Sequence, residues 1–298
     1  MKRDFLSLAD LPGDELVAVL DRAAELKRLR RAGERHRTLV GRGIALVFEK
    51  ASTRTRISLQ AAIAELGGHA MLVDAQTSQL ARGEPLADTA RVLSGYADAI
   101  VFRTFGDARL RELAAAATVP VINALTDDAH PLQLLADLQT IREHLGSIAG
   151  RTVAFVGDGS SNMARSFAEA APRLRFQLRI TCPEAYSPPP AEVDASWVTV
   201  EREPRDAGRD ADVIVTDVFT SMGQEREAEA RRLAFAGFMV DAAMVARAPA
   251  HAIVLHCLPA HRGEEIAAEV LDGPQSRAWD EAENRMHSAK ALLEHLLG

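Results

Sequence analysis

The sequence predicts an α/β protein of two domains, each a mainly parallel sheet flanked by helices, with a C-terminal helix packing back on the first domain. Three observations carry that expectation. Apolar runs of four or five residues recur along the chain and alternate with stretches of helical periodicity, the pattern of strand–helix–strand crossovers. The chain has 298 residues, above the size at which a single core stops growing, so two domains of about 130–150 residues is the natural division. Near its middle stands Gly146-Ser147-Ile148-Ala149-Gly150, which suits a hinge or domain boundary.

Residues 12–31 read as an amphipathic helix with Leu16, Val19, Leu20, Ala23 and Leu26 on one face. Its basic tail, Lys27 to Arg31, complements the negative end of the helix dipole and reads as structural. Strands are expected at Ile44–Phe48, Ala70–Val73, Ala99–Arg103 and Pro120–Ala124, and helices over 53–66, 86–96, 107–117 and 131–145. A second series follows, with strands at Thr152–Val156, Gln177–Thr181, Val213–Thr216 and Ile253–His256 and a helix over Asn162–Ala171. Ser187-Pro188-Pro189-Pro190 reads as a loop. Residues 222–235 are polar and dense in Glu and Arg, as in a solvated helix or mobile loop. The last helix, Glu281 to Leu297, brings Met286, Leu292, Leu293 and Leu296 on or near one face.

Composition narrows the function. A net charge of −7 with no basic tail argues against a nucleic-acid binder, while small anions remain possible because local arginines build such sites. Two distant cysteines, Cys182 and Cys257, form no disulfide framework, and the N-terminal residues lack the apolar core of a signal peptide. No apolar run approaches the length of a membrane span. The expectation is a soluble, cytoplasmic protein.

The chemistry gathers just after the strands, where parallel sheets bind ligands. After the first come Ser52, Thr53, Arg54 and Thr55, opening a helix. Free N–H groups and the positive pole of the dipole suit a phosphate there, Arg54 adds a bidentate fork, and the hydroxyls add neutral donors. An ordinary cap with solvated arginines is the plain alternative, and Ser52 can do both jobs. Arg103 ends the third strand, His130-Pro131-Leu132-Gln133 follows the fourth, and His256-Cys257-Leu258-Pro259 follows the last. Singly these read as a strand end, a cap and a buried thiol; together they line one rim with donors for an anionic phosphate bearing a carbonyl. Gly157-Asp158-Gly159-Ser160-Ser161-Asn162 lacks the third glycine of a dinucleotide turn, and Asp158 would repel a pyrophosphate. Asn162, Asp217 and Ser221 suit an amino acid instead, the amide meeting either end and Asp217 an ammonium.

Phe48-Glu49-Lys50-Ala51-Ser52-Thr53-Arg54-Thr55-Arg56, His130-Pro131-Leu132-Gln133 and His256-Cys257-Leu258-Pro259 resemble the signature segments of the aspartate/ornithine carbamoyltransferase family. Asp217-Val218-Phe219-Thr220-Ser221-Met222-Gly223 is similar to the Ser-Met-Gly loop of its ornithine members, and the likeness continues through residues 82–93 and 280–287, in order, over nearly the whole chain. The resemblance implies that residues 1–146, with the helix 281–298, bind carbamoyl phosphate and that residues 147–280 bind ornithine. Ser52, Thr53, Arg54, Thr55 and Arg103 would hold the phosphate. His130, Gln133 and Arg285 would orient the carbamoyl group, with the backbone carbonyl of Leu258 on its nitrogen. Asn162, Asp217, Ser221 and Met222 would grip the α-groups of ornithine, and Cys257 would lie beside the δ-amine as a positioning residue rather than a nucleophile. Gln79 would reach a neighbouring subunit's site, which implies a homotrimer or a multiple of trimers. The implied partners are carbamoyl phosphate and L-ornithine alone, with no metal and no organic cofactor.

Some residues depart from the family pattern. Ser161-Asn162 stands where many ornithine members have two asparagines, Leu132 where cysteine is common, Phe219 where tryptophan is common, and Gln60 where glutamate is frequent. None removes an indispensable donor, but they leave open another acceptor amine: putrescine, an N-acylated ornithine or aspartate. Aspartate would need extra cations near Asp217, and an acylated ornithine a proline-rich insertion that does not follow Met222. A non-catalytic binding protein on the same fold is a further alternative, opposed by the joint presence of Arg54, Arg103, His130, Cys257 and Arg285.

Overall fold

A computed structural model describes residues 2–221 and 225–298. The chain divides into two compact units, one formed by Met1–Gln139 with Glu283–Gly298 and the other by Thr140–Ala282.

In the first unit, β1 (Gly43–Phe48), β2 (His69–Asp74), β3 (Ala99–Arg103) and β4 (Val121–Leu125) form a parallel sheet in the order β2-β1-β3-β4. The helix α1 (Gly13–Arg31) precedes the sheet, α2 (Thr53–Glu65), α3 (Leu86–Ser94) and α4 (Asp107–Ala116) fill the intervals between its strands, and α5 (Pro131–Leu145) follows β4 and runs on into the second unit. β1 and β3 are buried almost throughout, as continuous apolar runs of a covered parallel sheet should be. Ala45, Val47, Ile100 and Phe102 pack under Leu86, Leu110 and Leu113, each large side chain contributing about 1.5–3 kcal/mol by burial. The α2 helix stops because Gly67 takes a left-handed φ of +85° and Gly68 N–H closes on the Ile63 carbonyl at 2.9 Å.

The C-terminal helix α10 (Ala278–Leu297) starts one turn before the predicted Glu281, and its last part packs back on the first unit. Lys27 donates to Asn284 at 2.7 Å, Arg31 to Glu283 at 3.1 Å and Lys290 to Glu65 at 2.8 Å. The basic tail of α1 is therefore structural through side-chain pairs as well as through the dipole.

The second unit holds β5 (Thr152–Val156), β6 (Gln177–Thr181), β7 (Val198–Glu201), β8 (Val213–Thr216) and β9 (Ile253–His256), all parallel, in the order β7-β6-β5-β8-β9. Sequence reading misses β7, a four-residue edge strand with one fully buried residue. The helix α6 (Asn162–Leu174) runs past Pro172 to a left-handed cap at Arg175, whose N–H meets the Ala171 carbonyl. Between β8 and β9 lie α7 (Ala228–Ala234) and α8 (Ala242–Val245), with α9 (Ala268–Leu271) after β9.

Of the segment 222–235, residues 222–224 lie outside the described residues; the rest forms a largely exposed helix around α7, as expected, with two inward residues that the sequence did not mark. Arg231 and Phe235 are buried, Phe235 stacking on Phe219 with ring centroids 4.5 Å apart. An arginine in a charged run can be the inward residue when a carboxylate waits for it, and here Asp158 does so at 2.7 Å.

Candidate functional site

Both sheets change winding direction once, the first between β1 and β3 and the second between β5 and β8. At such a switch point the loops part and leave a crevice above the carboxyl ends. The polar residues singled out in the sequence follow these strands.

In the first unit, Ser52 occupies the N-cap of α2, but its hydroxyl makes no capping bond. The expected role of Ser52 as cap is thus corrected: its backbone is extended (φ −163°, ψ 105°), as an N-cap residue's ordinarily is, but its hydroxyl accepts from none of the first-turn N–H groups. Thr53 and Arg54 are exposed at that turn, whereas Thr55 is buried and accepts a hydrogen bond from Arg285 Nη2 at 2.6 Å. Arg285, delivered by α10, also donates through Nη1 to Gln133 Oε1, and Gln133 donates to Asp137 at 2.8 Å. Arg103, at the end of β3, and His130, just before α5, are both buried. Burial, with the positive charges of Arg285 and Arg103 adding to it, pushes the His130 imidazole well below its usual range, so it stays neutral at pH 7. Arg56 instead reaches Asp74 at 3.2 Å and lies 5.0 Å from the Phe48 ring, a structural placement.

Glu49 fixes this rim. Its N–H bonds the Arg103 carbonyl at 2.9 Å, and its carboxylate accepts from Thr104 and from Arg109 Nε at 3.1 Å. Gln79 opens a short 3-10 turn beyond β2 and is exposed, apart from this cluster.

In the second unit, Cys257 Sγ donates to Asp217 Oδ1 at 3.0 Å, which joins the ends of β8 and β9. Asp217 also accepts from the Val218 N–H at 2.7 Å. Asn162 is the first residue of α6 and is half-buried, and Ser221 is half-buried at the end of the segment after β8. Met222, the remaining predicted contact, lies outside the described residues. Ser161 caps α6, accepting from the Ala164 N–H at 3.2 Å, so the departure from asparagine at this position keeps the cap.

Sequence reading did not find the residues that hold the turn after β9. His256 is buried, its Nδ1 accepts from the Leu258 N–H at 2.9 Å, and its Nε2 meets Glu265 at 3.1 Å. Acceptance at Nδ1 places the ring proton on Nε2, toward the carboxylate. The His256 N–H in turn bonds Glu281 at 2.9 Å. Leu258 takes a left-handed φ of 56° within this frame, and its peptide to Pro259 is cis. The available signal was His256 itself, a histidine ending an apolar strand, whereas Glu265 carries no local mark. Among the described residues, His261, Glu264 and Glu265 bring potential ligand atoms within 4.8 Å of one another, but Glu265 is already engaged by His256 and by the His261 N–H.

Comparison with known proteins followed the two units. Residues 3–143 match the carbamoyl-P binding domain of aspartate/ornithine carbamoyltransferases, and residues 149–296 match their Asp/Orn binding domain. An ornithine carbamoyltransferase from Sorangium cellulosum is 55% identical over 307 aligned residues, covering 100% of this chain and 98% of that protein. An anabolic ornithine carbamoyltransferase from Pseudomonas aeruginosa is 50% identical, covering 99% of this chain and 97% of that protein. The structure of an ornithine carbamoyltransferase from Pyrococcus furiosus superposes with a TM-score of 0.94 at 45% identity, covering 100% of this chain and 97% of the other.

Proposed function

The chain belongs to the aspartate/ornithine carbamoyltransferase family, and from that premise we propose that it transfers the carbamoyl group of carbamoyl phosphate to the δ-amine of L-ornithine, giving L-citrulline and phosphate, a step of arginine biosynthesis. The observation that supports this most is the buried set Thr55, Gln133 and Arg285 beside a neutral His130, at the switch point of the unit that matches the carbamoyl-P binding domain. Residues 1–146 with the helix 281–298 are the carbamoyl-phosphate domain in this reading, and residues 147–280 the ornithine domain.

Ser52, Thr53, Arg54, Thr55, Arg103 and the N-terminal N–H groups of α2 hold the phosphate and stabilise it as it leaves. His130, Gln133 and Arg285 polarise the carbamoyl oxygen; a neutral imidazole donates a hydrogen bond without adding a charge that the two arginines already supply. The Leu258 carbonyl accepts from the carbamoyl nitrogen. Asn162, Asp217, Ser221 and Met222 take the α-amino and α-carboxylate groups, and Cys257, bound to Asp217, positions the δ-amine. The deprotonated amine attacks the carbamoyl carbon, the C–O bond to phosphate breaks as the tetrahedral intermediate collapses, and the amine proton leaves with phosphate. Orientation and preorganised charge supply the rate.

The exposed Gln79, and Leu72 on the edge strand β2 at 47% exposure, support assembly as a homotrimer or a multiple of trimers in which Gln79 reaches a neighbouring site. Two cysteines far apart in sequence, Cys182 and Cys257, which form no disulfide framework, support a cytoplasmic location. The test supplies carbamoyl phosphate with ornithine, putrescine, aspartate or N-acetylornithine and measures each carbamoylated product with phosphate release. Citrulline from ornithine is expected. Reaction with another amine but not with ornithine overturns the acceptor, and no product from any amine overturns the transferase reading.

A further inference from the structure

A second cationic site lies within the first unit, at the end of α2 opposite the phosphate turn. It is an open cavity of about 400 Å³ walled by the C-termini of α1 and α2, the loop between α1 and β1, and one turn of α10. The volume falls in the range of small-molecule pockets. Its apolar surface comes from Leu29 and Ala64, over the fully buried Leu26 and Leu66. Its rim carries Arg30, Arg35, Arg37, His36 and Lys290 against two carboxylates, Glu34 and Glu65.

The pairing within this rim leaves a positive surplus. Glu65 alone serves two cations, Arg30 at 2.6 Å and Lys290 at 2.8 Å, and burial of the Lys290 side chain (4% exposed) keeps that ammonium at the wall. Arg35 and Arg37 are exposed and enter no ion pair among the described residues. Helix C-termini usually disfavour an anion, but these are closed. Carbonyls 28–30 of α1 accept from Ala32, Gly33 and Glu34, and carbonyls 62–64 and 66 of α2 accept from Leu66, Gly67, Gly68 and Leu39. The negative ends of both helices are thereby occupied by backbone N–H groups, and the exposed rim is left to guanidinium forks.

From this juxtaposition we propose that the cavity is a binding site for a phosphate monoester with a small apolar body, with Arg35 and Arg37 gripping the phosphate, Lys290 and Arg30 backing it, and the body resting on the accessible Leu29 and Ala64. Planar forks match phosphate oxygens bidentately, and the apolar surface distinguishes an ester from the free ion. An α-helix rises 1.5 Å per residue, so α2 separates this cavity from Ser52–Arg54 by about 20 Å, and the two sites fill independently.

The test titrates the full chain calorimetrically with phenyl phosphate, with phenol and inorganic phosphate as controls. In the Arg54→Gly variant, where the phosphate turn is disabled, phenyl phosphate should still bind at one site per chain, phenol should not bind, and phosphate should bind that site at least 10-fold more weakly. The double variant Arg35→Gln/Arg37→Gln should weaken phenyl phosphate at least 10-fold and leave kcat and KM without it unchanged. Binding lost in Arg54→Gly, unaltered in the double variant, or absent from the parent overturns the proposal. The proposed reaction is assayed separately, so failure of the one does not carry the other.

Discussion

Replacing Arg231 by methionine should destabilise the second unit by about 3 kcal/mol. The arginine pairs with Asp158 at 2.7 Å, and both side chains are 6% exposed. The same guanidinium donates to the Phe219 carbonyl at 2.9 Å and lies 4.8 Å from the Tyr186 ring. Removing one member of a buried pair costs about 3–5 kcal/mol, because the other charge is stranded. Here the stranded carboxylate keeps the Ser160 N–H at 2.9 Å and the Ser160 hydroxyl at 2.6 Å, which places the loss at the lower end. In a unit of this size each kcal/mol shifts Tm by about 2–4 °C, so the transition should fall by about 6–12 °C. Urea unfolding of Arg231→Met, Asp158→Asn and the double variant closes a cycle, and the double variant should recover at least half of the summed losses. Losses that simply add, within about 0.5 kcal/mol, would refute a coupled latch. Phe219 and Ser221 lie on the segment that the latch secures, so KM for ornithine should rise more than kcat falls in either single variant.

Two further outcomes can be checked directly. Arg54→Gly should lower kcat/KM for carbamoyl phosphate by about 10²–10³-fold with an unchanged circular dichroism spectrum, since the exposed Arg54 makes no ion pair among the described residues; near-normal turnover would remove its proposed role. His287 is fully buried, and burial, with Lys290 adding to it, lowers its pKa from 6.5 to about 4. The unfolded chain therefore takes up that proton first, stability falls as pH drops from about 6.5 to about 4, and the whole loss is worth about 3 kcal/mol. In His287→Gln this part of the acid limb should vanish from urea midpoints measured at pH 7 and pH 4.5, and an unchanged limb would exclude His287 as its source.

Much of the fold was legible because central parallel strands buried on both faces are apolar throughout, while the partly exposed β6 keeps its alternating Leu178 and Ile180. β3, β5, β6, β8 and β9 begin and end at the predicted residues. The strand β7 escaped because Val198-Thr199-Val200-Glu201 buries little and sits at an edge, where no long apolar run is required. Site residues were legible where the chemistry directly follows a strand, as at Arg103 and Cys257. Long-range partners were not: Glu265 behind His256, Asp158 beneath Arg231 and Asn284 against Lys27 are polar residues whose burial is visible only after folding. The hydroxyl of Ser52 shows the same limit at short range, because the residue type predicts a capping bond that the folded side chain does not make.

The first unit is built from both ends of the chain, and this imposes an order on its birth. During synthesis, residues 1–139 emerge first, then the whole second unit, and only then the helix segment carrying Asn284, Arg285 and Lys290. At about 5–20 residues per second the interval is of order 10 s. For that time Lys27 lacks Asn284, Thr55 and Gln133 lack their guanidinium, and the phosphate turn stands beside an incomplete rim. A nascent chain should therefore fold its first sheet early yet complete the Thr55–Gln133–Arg285 cluster only after the second unit has been made, so that the state of this cluster reports how far synthesis has run.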